Sequence, residues 1–324
     1  MPRLFSAPDG GTLLPQTKMK EETPAPVPGG PEAWPSLHLS EWADTCTTLH
    51  MWTQIVGKVR LALSPRINHW WEVPLYVSAR GLTTSPIPYK DGVFEAEFDF
   101  IDHQITLATC NNDVSIIPLA PRSVADFYSE FMDALRSLEI DVKIWPMPAE
   151  IPNAIRFDQD RTHKSYEPEY AHRFWRILVS VDSVFKEFRA RFIGKVSPVH
   201  FFWGSFDLAV TRFSGRRAPE RPDADSITRE AYSHEVSSIG FWPGGGAVTD
   251  TAFYAYAAPE PAGFGQRSVR PAKSFYSGEM HEFFLMYDDV RTAKSPRETL
   301  LEFCQSTYEA AADLAAWDRA NLER

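Results

Sequence analysis

The sequence predicts an α+β fold in which a unit of one helix, four antiparallel strands and a second helix occurs twice, with the helices mainly on one face of the sheet. Three observations lead there. Two similar aromatic blocks, His69-Trp70-Trp71-Glu72-Val73-Pro74-Leu75-Tyr76 and His200-Phe201-Phe202-Trp203-Gly204-Ser205-Phe206-Asp207, open corresponding stretches of the chain. Each block follows a helix-like segment and runs through strand-like segments into another helix-like segment. The strand-like segments are joined by connections too short for parallel crossovers, which implies antiparallel meanders. Such a sheet buries one face under its helices and leaves the other free.

The elements follow in order. Residues 1–35 are rich in Pro, Gly and Thr and read as a disordered tail. The first repeat, 36–150, opens with a helix over 40–62. Ser40 suits the N-cap, Glu41 and Asp44 favour the positive helix end, and Trp42, Cys46, Leu49 and Val56 recur on one stripe. Pro65 stops it. Strands are expected over 70–79, 92–100, 103–110 and 114–119, the last two separated by the turn residues Asn111-Asn112-Asp113. A helix over 123–138 places Val124, Phe127, Phe131 and Leu135 on one face. A short strand over 140–145 and a linker marked by Pro146, Pro148 and Pro152 close the half.

The second repeat, 151–324, opens with a helix over 168–193 striped by Phe174, Val181, Phe185 and Phe188, with Gly194 as its expected C-terminal cap. Strands are expected over 199–213, 236–241, 252–257 and 282–287. A last helix over 296–322 has Ser295 as cap and Pro296 in its first turn. Only this half carries long extra loops, 215–230 and 259–279. Loops of that size are functional or mobile, which places a specialised site in the second half.

Bulk properties narrow the function classes. A hydrophobic fraction of 44 %, with 22 Phe, 11 Tyr and 10 Trp, is ample for a packed core. A formal net charge of −10 argues against nucleic acid. Cys46, Cys110 and Cys304 are far apart and form no CxxC, which argues for a reducing, cytoplasmic setting without a disulfide framework. No apolar run is long enough for a membrane span, and the N-terminus lacks a signal-peptide core.

The run from His200 to Arg216, together with Gly240-Phe241-Trp242-Pro243-Gly244 and Phe253-Tyr254-Ala255-Tyr256, resembles a bacterial domain-of-unknown-function family, family 5996. The resemblance covers nearly everything after the tail. It implies a soluble bacterial protein and carries no catalytic assignment.

Strand alternation sorts the candidate residues. His200, Phe202, Phe206, Leu208 and Val210 are expected to face the helices. Trp203, Ser205, Asp207 and Thr211 share the open face, and Trp70, Glu72 and Tyr76 match them in the first half. A pocket lined by Trp70, Glu72, Tyr76, Trp203 and Asp207 near the seam has the aromatic walls and few polar groups of a small-molecule site. The competing reading is a solvated face of ordinary cross-strand pairs. Asp207 is the leading catalytic candidate, as a ligand-amine anchor or general base, with His234 or Glu235 as its acid–base partner; an ion pair with Arg212 or Arg80 is its structural alternative. Arg212 belongs to a short basic cluster that reads as a phosphate or carboxylate clamp or as a solvated surface. Trp242 is expected as a lid, and Tyr254 and Tyr256 as further aromatic wall.

The function expected is therefore binding of a small-molecule ligand on the open sheet face, with acid–base groups available there. One alternative is a protein-interaction or self-assembly module, including a homodimer. The other is a metalloenzyme using His200, His234 and His281 with Glu235 and Glu282. Against that, there is no HExxH, and adjacent His-Glu residues on a strand point to opposite faces. The sequence names no cofactor.

Overall fold

The computed structural model describes residues 33–245 and 248–324. Residues 1–32 of the predicted tail lie outside the described residues. The first long helix, α1 (Leu39–Leu63), starts one residue ahead of Ser40. Its cap comes from a distant residue: the Asp250 carboxylate accepts from the Leu39 amide at 2.8 Å and bonds the His38 ring at 2.9 Å. Trp42, Leu49, Trp52, Ile55, Val56 and Val59 are buried, as are Thr45, Thr48 and Gln54, so α1 is enclosed on most sides.

Six short strands follow: β1 (Tyr76–Val77), β2 (Gly81–Thr83), β3 (Ile87–Tyr89), β4 (Gly92–Asp99), β5 (Gln104–Thr109) and β6 (Val114–Pro118). They form one antiparallel sheet in the order β1-β2-β4-β5-β6, with β3 also on β4. Helix α2 (Val124–Ser137) begins where its cap predicts, with Ser123 Oγ accepting from the Asp126 amide at 3.1 Å. No strand forms over 140–145; the Asp141 amide donates to Tyr89 Oη at 2.8 Å instead of to a ladder.

The second half opens with α3 (Pro168–Ala190), which stops before the predicted end. Gly194 is not its cap. Arg191 holds that position, and the amides of Ile193 and Gly194 donate to the Leu322 carbonyl at 2.8 and 3.4 Å. The strands are β7 (His200–Phe202), β8 (Asp207–Arg217), β9 (His234–Trp242), β10 (Ala252–Ala258), β11 (Phe275–Ser277) and β12 (Glu282–Met286). They form a second antiparallel sheet in the order β11-β12-β10-β9-β8-β7. The extra loops hold α4 (Ser226–Ala231), capped by Asp225, and β11. Helix α5 (Tyr287–Arg291) leads to α6 (Pro296–Leu314). The predicted last helix breaks at Leu314. Trp317 turns inward against Tyr308, 5.9 Å between ring centres, and the short α7 (Arg319–Leu322) runs back.

Each half contributes one antiparallel sheet of six strands where the sequence predicts four, and α4 interrupts the strand run of the second half. The two sheets meet at one bridge, where Leu75 and Phe201 exchange amide hydrogen bonds of 2.9 Å. The predicted strand over 70–79 is mostly absent. A 3-10 turn at Asn68–Trp70, with His69 and Trp70 at φ of 61° and 60°, carries the indoles out of the sheet plane. Similarly, the predicted strand over 199–213 is a hairpin whose turn includes Phe206 at φ 60°. Helices α3 and α6 pack on β8, β9 and β10, and one apolar cluster runs from α1 through both halves. α4 lies over the opposite face, against the 3-10 turn. No helix among the described residues is long and apolar enough to cross a membrane.

Candidate functional site

Alternation along β8 puts Asp207, Ala209, Thr211 and Phe213 on one face and Leu208, Val210 and Arg212 on the other. The register pairs Phe202 with Asp207 across β7 and Tyr256 with Ser238 across β10 and β9. The odd positions of β8, Val236 and Ser238 of β9, and Tyr254 and Tyr256 of β10 make the floor of a cavity of about 340 Å³. Trp70 of the 3-10 turn, Trp71 just after it and Trp203 of the hairpin turn form walls, and Ile227, Ala231 and Tyr232 cover the floor from the α4 side. Ala149 and Glu150 of the inter-half linker complete the lining.

Several local devices fix this shape. Trp203 lies on Gly57 of α1, where an added Cβ would stand 2.2 Å from the indole, and its Nε1 donates to the Val73 carbonyl at 2.7 Å. Tyr254 lies across Gly240 in the same way, a Cβ there falling 2.2 Å from the phenol ring. Gln54 of α1 holds the linker by bonding both the amide and the carbonyl of Ala149, at 2.7 and 2.9 Å. His69 is neutral in its setting: burial and the Lys195 ammonium lower its pKa, its Nε2 accepts from Lys195 Nζ at 2.6 Å, and its Nδ1 donates to the Ala231 carbonyl at 3.2 Å.

Asp207 is the polar centre of the floor and is 5 % exposed. Ser205 Oγ and Tyr254 Oη donate to its two carboxylate oxygens. Burial nevertheless pushes its pKa up to about 6; the two hydrogen bonds oppose the rise and the Glu150 carboxylate adds to it. Burial likewise raises Glu150. Glu282, on the β12 strand beside β10, is pushed up to about 7 by burial and then by the Asp207 charge. Burial, with Asp207 next, raises Tyr254 well above its usual range. Tyr256 Oη meets Tyr232 Oη at 3.0 Å, and beyond that pair a second hollow of about 390 Å³ is lined by Arg221, Glu260, His281 and Glu282.

Of the residues singled out from sequence, the structure brings Trp70, Trp203, Asp207, Tyr254 and Tyr256 together on this cavity. Six others lie elsewhere. Glu72 is buried within its own turn, its Oε2 accepting from the Ile67 amide at 3.0 Å. Tyr76 packs edge-on against His200, with the Arg60 guanidinium over its ring. Arg212 sits at an even position and faces the helices: it stacks over Phe188 at 3.5 Å, donates to the Phe188 carbonyl, and burial lowers its pKa to about 10. Trp242 shares the cavity's sheet face but lies farther along it, packed with Val248, Phe284, Met280 and Met286. His234 bonds Ser233 Oγ at 3.0 Å and packs edge-on to His69. Glu235 turns to the other face, where Ser214 Oγ and Arg216 Nε bond it at 2.8 and 2.9 Å. The expected acid–base set therefore reduces to Asp207, and neither Arg212 nor Arg80 pairs with it; Arg80 bonds Asp99 and Asp102.

The three histidines of the metal reading have separate surroundings. His200, 1 % exposed, is enclosed by Trp71, Tyr76 and Phe202; His234 is beside His69; His281 pairs with Glu260 at 3.1 Å. Among the described residues no group of three or more His, Cys, Asp or Glu is placed to hold a metal ion. Sequence reasoning missed Glu150, Phe202 and Tyr232 as lining residues. Phe202 was assigned to the wrong face because the hairpin turn resets the alternation. Glu150 and Tyr232 lie on connections that have no periodicity to read.

A family model described as "Family of unknown function (DUF5996)" matches residues 34–324. No curated protein and no solved structure matches the chain.

Proposed function

Since the chain belongs to a family of unknown function, we propose from its own residues that it binds a small organic molecule in the cavity between the two halves. The observation that carries this reading is the cavity itself: about 340 Å³, walled by indole and phenol rings, with a buried carboxylate in its floor. Small-molecule sites have this composition, mostly apolar lining with a few fixed polar groups. The polar groups here are held by one another, as with Ser205 and Tyr254 on Asp207, so the floor is organised without a ligand. Asp207 is also the one member of the acid–base set expected from the sequence that reaches the cavity, where Glu150 adds a second carboxylate to the lining.

The test is native mass spectrometry of the purified protein beside an Ala209→Leu variant. Ala209 lies in the cavity floor and is 3 % exposed, so the added side chain fills the space from below. An organic adduct on the wild-type protein that is absent from a folded Ala209→Leu variant supports the reading. An adduct that persists in the variant places the ligand elsewhere.

A further inference from the structure

We propose that the ligand of this cavity is an organic cation, a protonated amine or a quaternary ammonium group carried on a compact apolar body. The proposal rests on the small-molecule reading above and gives it a chemical class. Three carboxylates converge on the cavity and its edge: Asp207 in the floor, Glu150 from the linker, and Glu282 beyond Tyr256. Among the described residues none of the three forms an ion pair with a lysine, arginine or histidine, although the second half is rich in such pairs. A buried carboxylate without a counter-charge is costly unless something else supplies it. The Glu150 charge also hinders ionisation of Asp207. A bound cation would relieve both.

The geometry leaves room for such a contact. Each Asp207 oxygen receives one side-chain donor, from Ser205 or Tyr254, and a carboxylate has about four acceptor sites. The remaining lining is aromatic, and ring faces attract cations. Several of these rings already carry a cation of the chain's own: Arg66 over Trp70 at 4.2 Å, Lys195 over Trp71 at 5.3 Å, Lys58 over Trp203 at 5.7 Å. None of those basic residues lines the cavity. They draw on the same ring electrons, so the carboxylates rather than the rings set the selectivity. A metal ion fits poorly. It prefers a full shell of oxygen ligands, and apolar walls cannot replace its hydration.

The test compares three single-ring probes that differ in charge: benzylamine, benzyl alcohol and benzoate. Each is titrated into the full-length protein at pH 8 by calorimetry. The expected result is that benzylamine binds at least about tenfold more tightly than benzyl alcohol and that benzoate does not bind. In Asp207→Asn, benzylamine loses about tenfold while benzyl alcohol is nearly unchanged. Glu150→Gln, a change in the inter-half linker, gives a smaller loss for benzylamine alone and serves if Asp207→Asn does not fold. Equal binding of benzylamine and benzyl alcohol overturns the cation proposal and leaves the small-molecule reading standing. A preference for benzoate overturns it as well. Failure of all three probes counts against both.

Discussion

Replacing Asp207 by Asn removes a charge from a site that is 5 % exposed while nearly preserving its shape. The magnitude follows from proton linkage. The folded protein holds the Asp207 proton up to about pH 6, against an ordinary value of 3.8. Between those two values the folded state binds more protons than the unfolded chain, so stability falls as pH rises through the window. The gap corresponds to about 3 kcal/mol of stability lost once the group is ionised. Asn cannot accept from both Ser205 and Tyr254 as the carboxylate does, and the weakened bond returns about 1–2 kcal/mol. The variant should therefore be more stable than wild type by about 1–2 kcal/mol at pH 7.5 in the absence of ligand, and its melting temperature higher by about 2–6 °C. At pH 4 wild-type Asp207 is itself protonated and the advantage disappears. Glu282 reinforces the trend, because the lost Asp207 charge is the second contributor to its own raised pKa. Differential scanning calorimetry of both proteins from pH 4 to 8 reads the difference directly. A variant that melts below wild type by the same margin at pH 4 and pH 7.5 would refute the reasoning, because the carboxylate would then be a net stabilising anion at every pH.

Three further outcomes are expected. Gly240→Ala places a methyl group 2.2 Å from the Tyr254 ring, which should lower stability in urea by about 1–3 kcal/mol and weaken ligand binding by displacing the phenol from Asp207; an unchanged midpoint would show that the ring moves aside freely. Arg212→Ala should cost about 3 kcal/mol through lost packing on Phe188 and Tyr308 while leaving probe binding intact, since Arg212 faces away from the cavity; a selective loss of binding would reinstate it as a ligand residue. His200 has its pKa pushed down to about 3, first by burial and then by the Arg60 charge, so the folded state favours the neutral ring. Its contribution to stability is present above pH 6.5 and is lost as pH falls below that value, and its ring proton should show no titration by NMR between pH 5 and 8; a midpoint near 6.5 would contradict the burial.

The parts of this architecture readable in the sequence are those set by local periodicity and composition. The apolar stripes of α1, α2 and α3 and the Ser123 cap announce their helices within a turn or so, because a helix is decided by neighbours three and four residues away. Alternation and short connections give the antiparallel strands for the same reason, and the aromatic residues Trp203, Tyr254 and Tyr256 mark one sheet face. Readings that needed backbone exceptions did not transfer. Phe206, His69 and Trp70 adopt positive φ, which resets the face of Phe202 and lifts the indoles from the sheet. Local pattern reading assumes that alternation continues.

The sequence by itself determined an α+β chain with two antiparallel strand runs, its main helices, and Asp207 as an isolated acid among strand residues. Only the tertiary structure decided where a cavity forms and which groups reach it. Glu150 comes from a linker, Tyr232 from the end of a short helix, and Glu282 from a strand that lies beside β10 through sheet pairing. Those approaches depend on long-range packing: Gln54 gripping Ala149, His69 bonding the Ala231 carbonyl, and the Leu75–Phe201 bridge between the sheets. The electrostatics depend on it equally, because the Asp207 proton is held up by exclusion of water, and burial is a property of the assembled fold rather than of any segment.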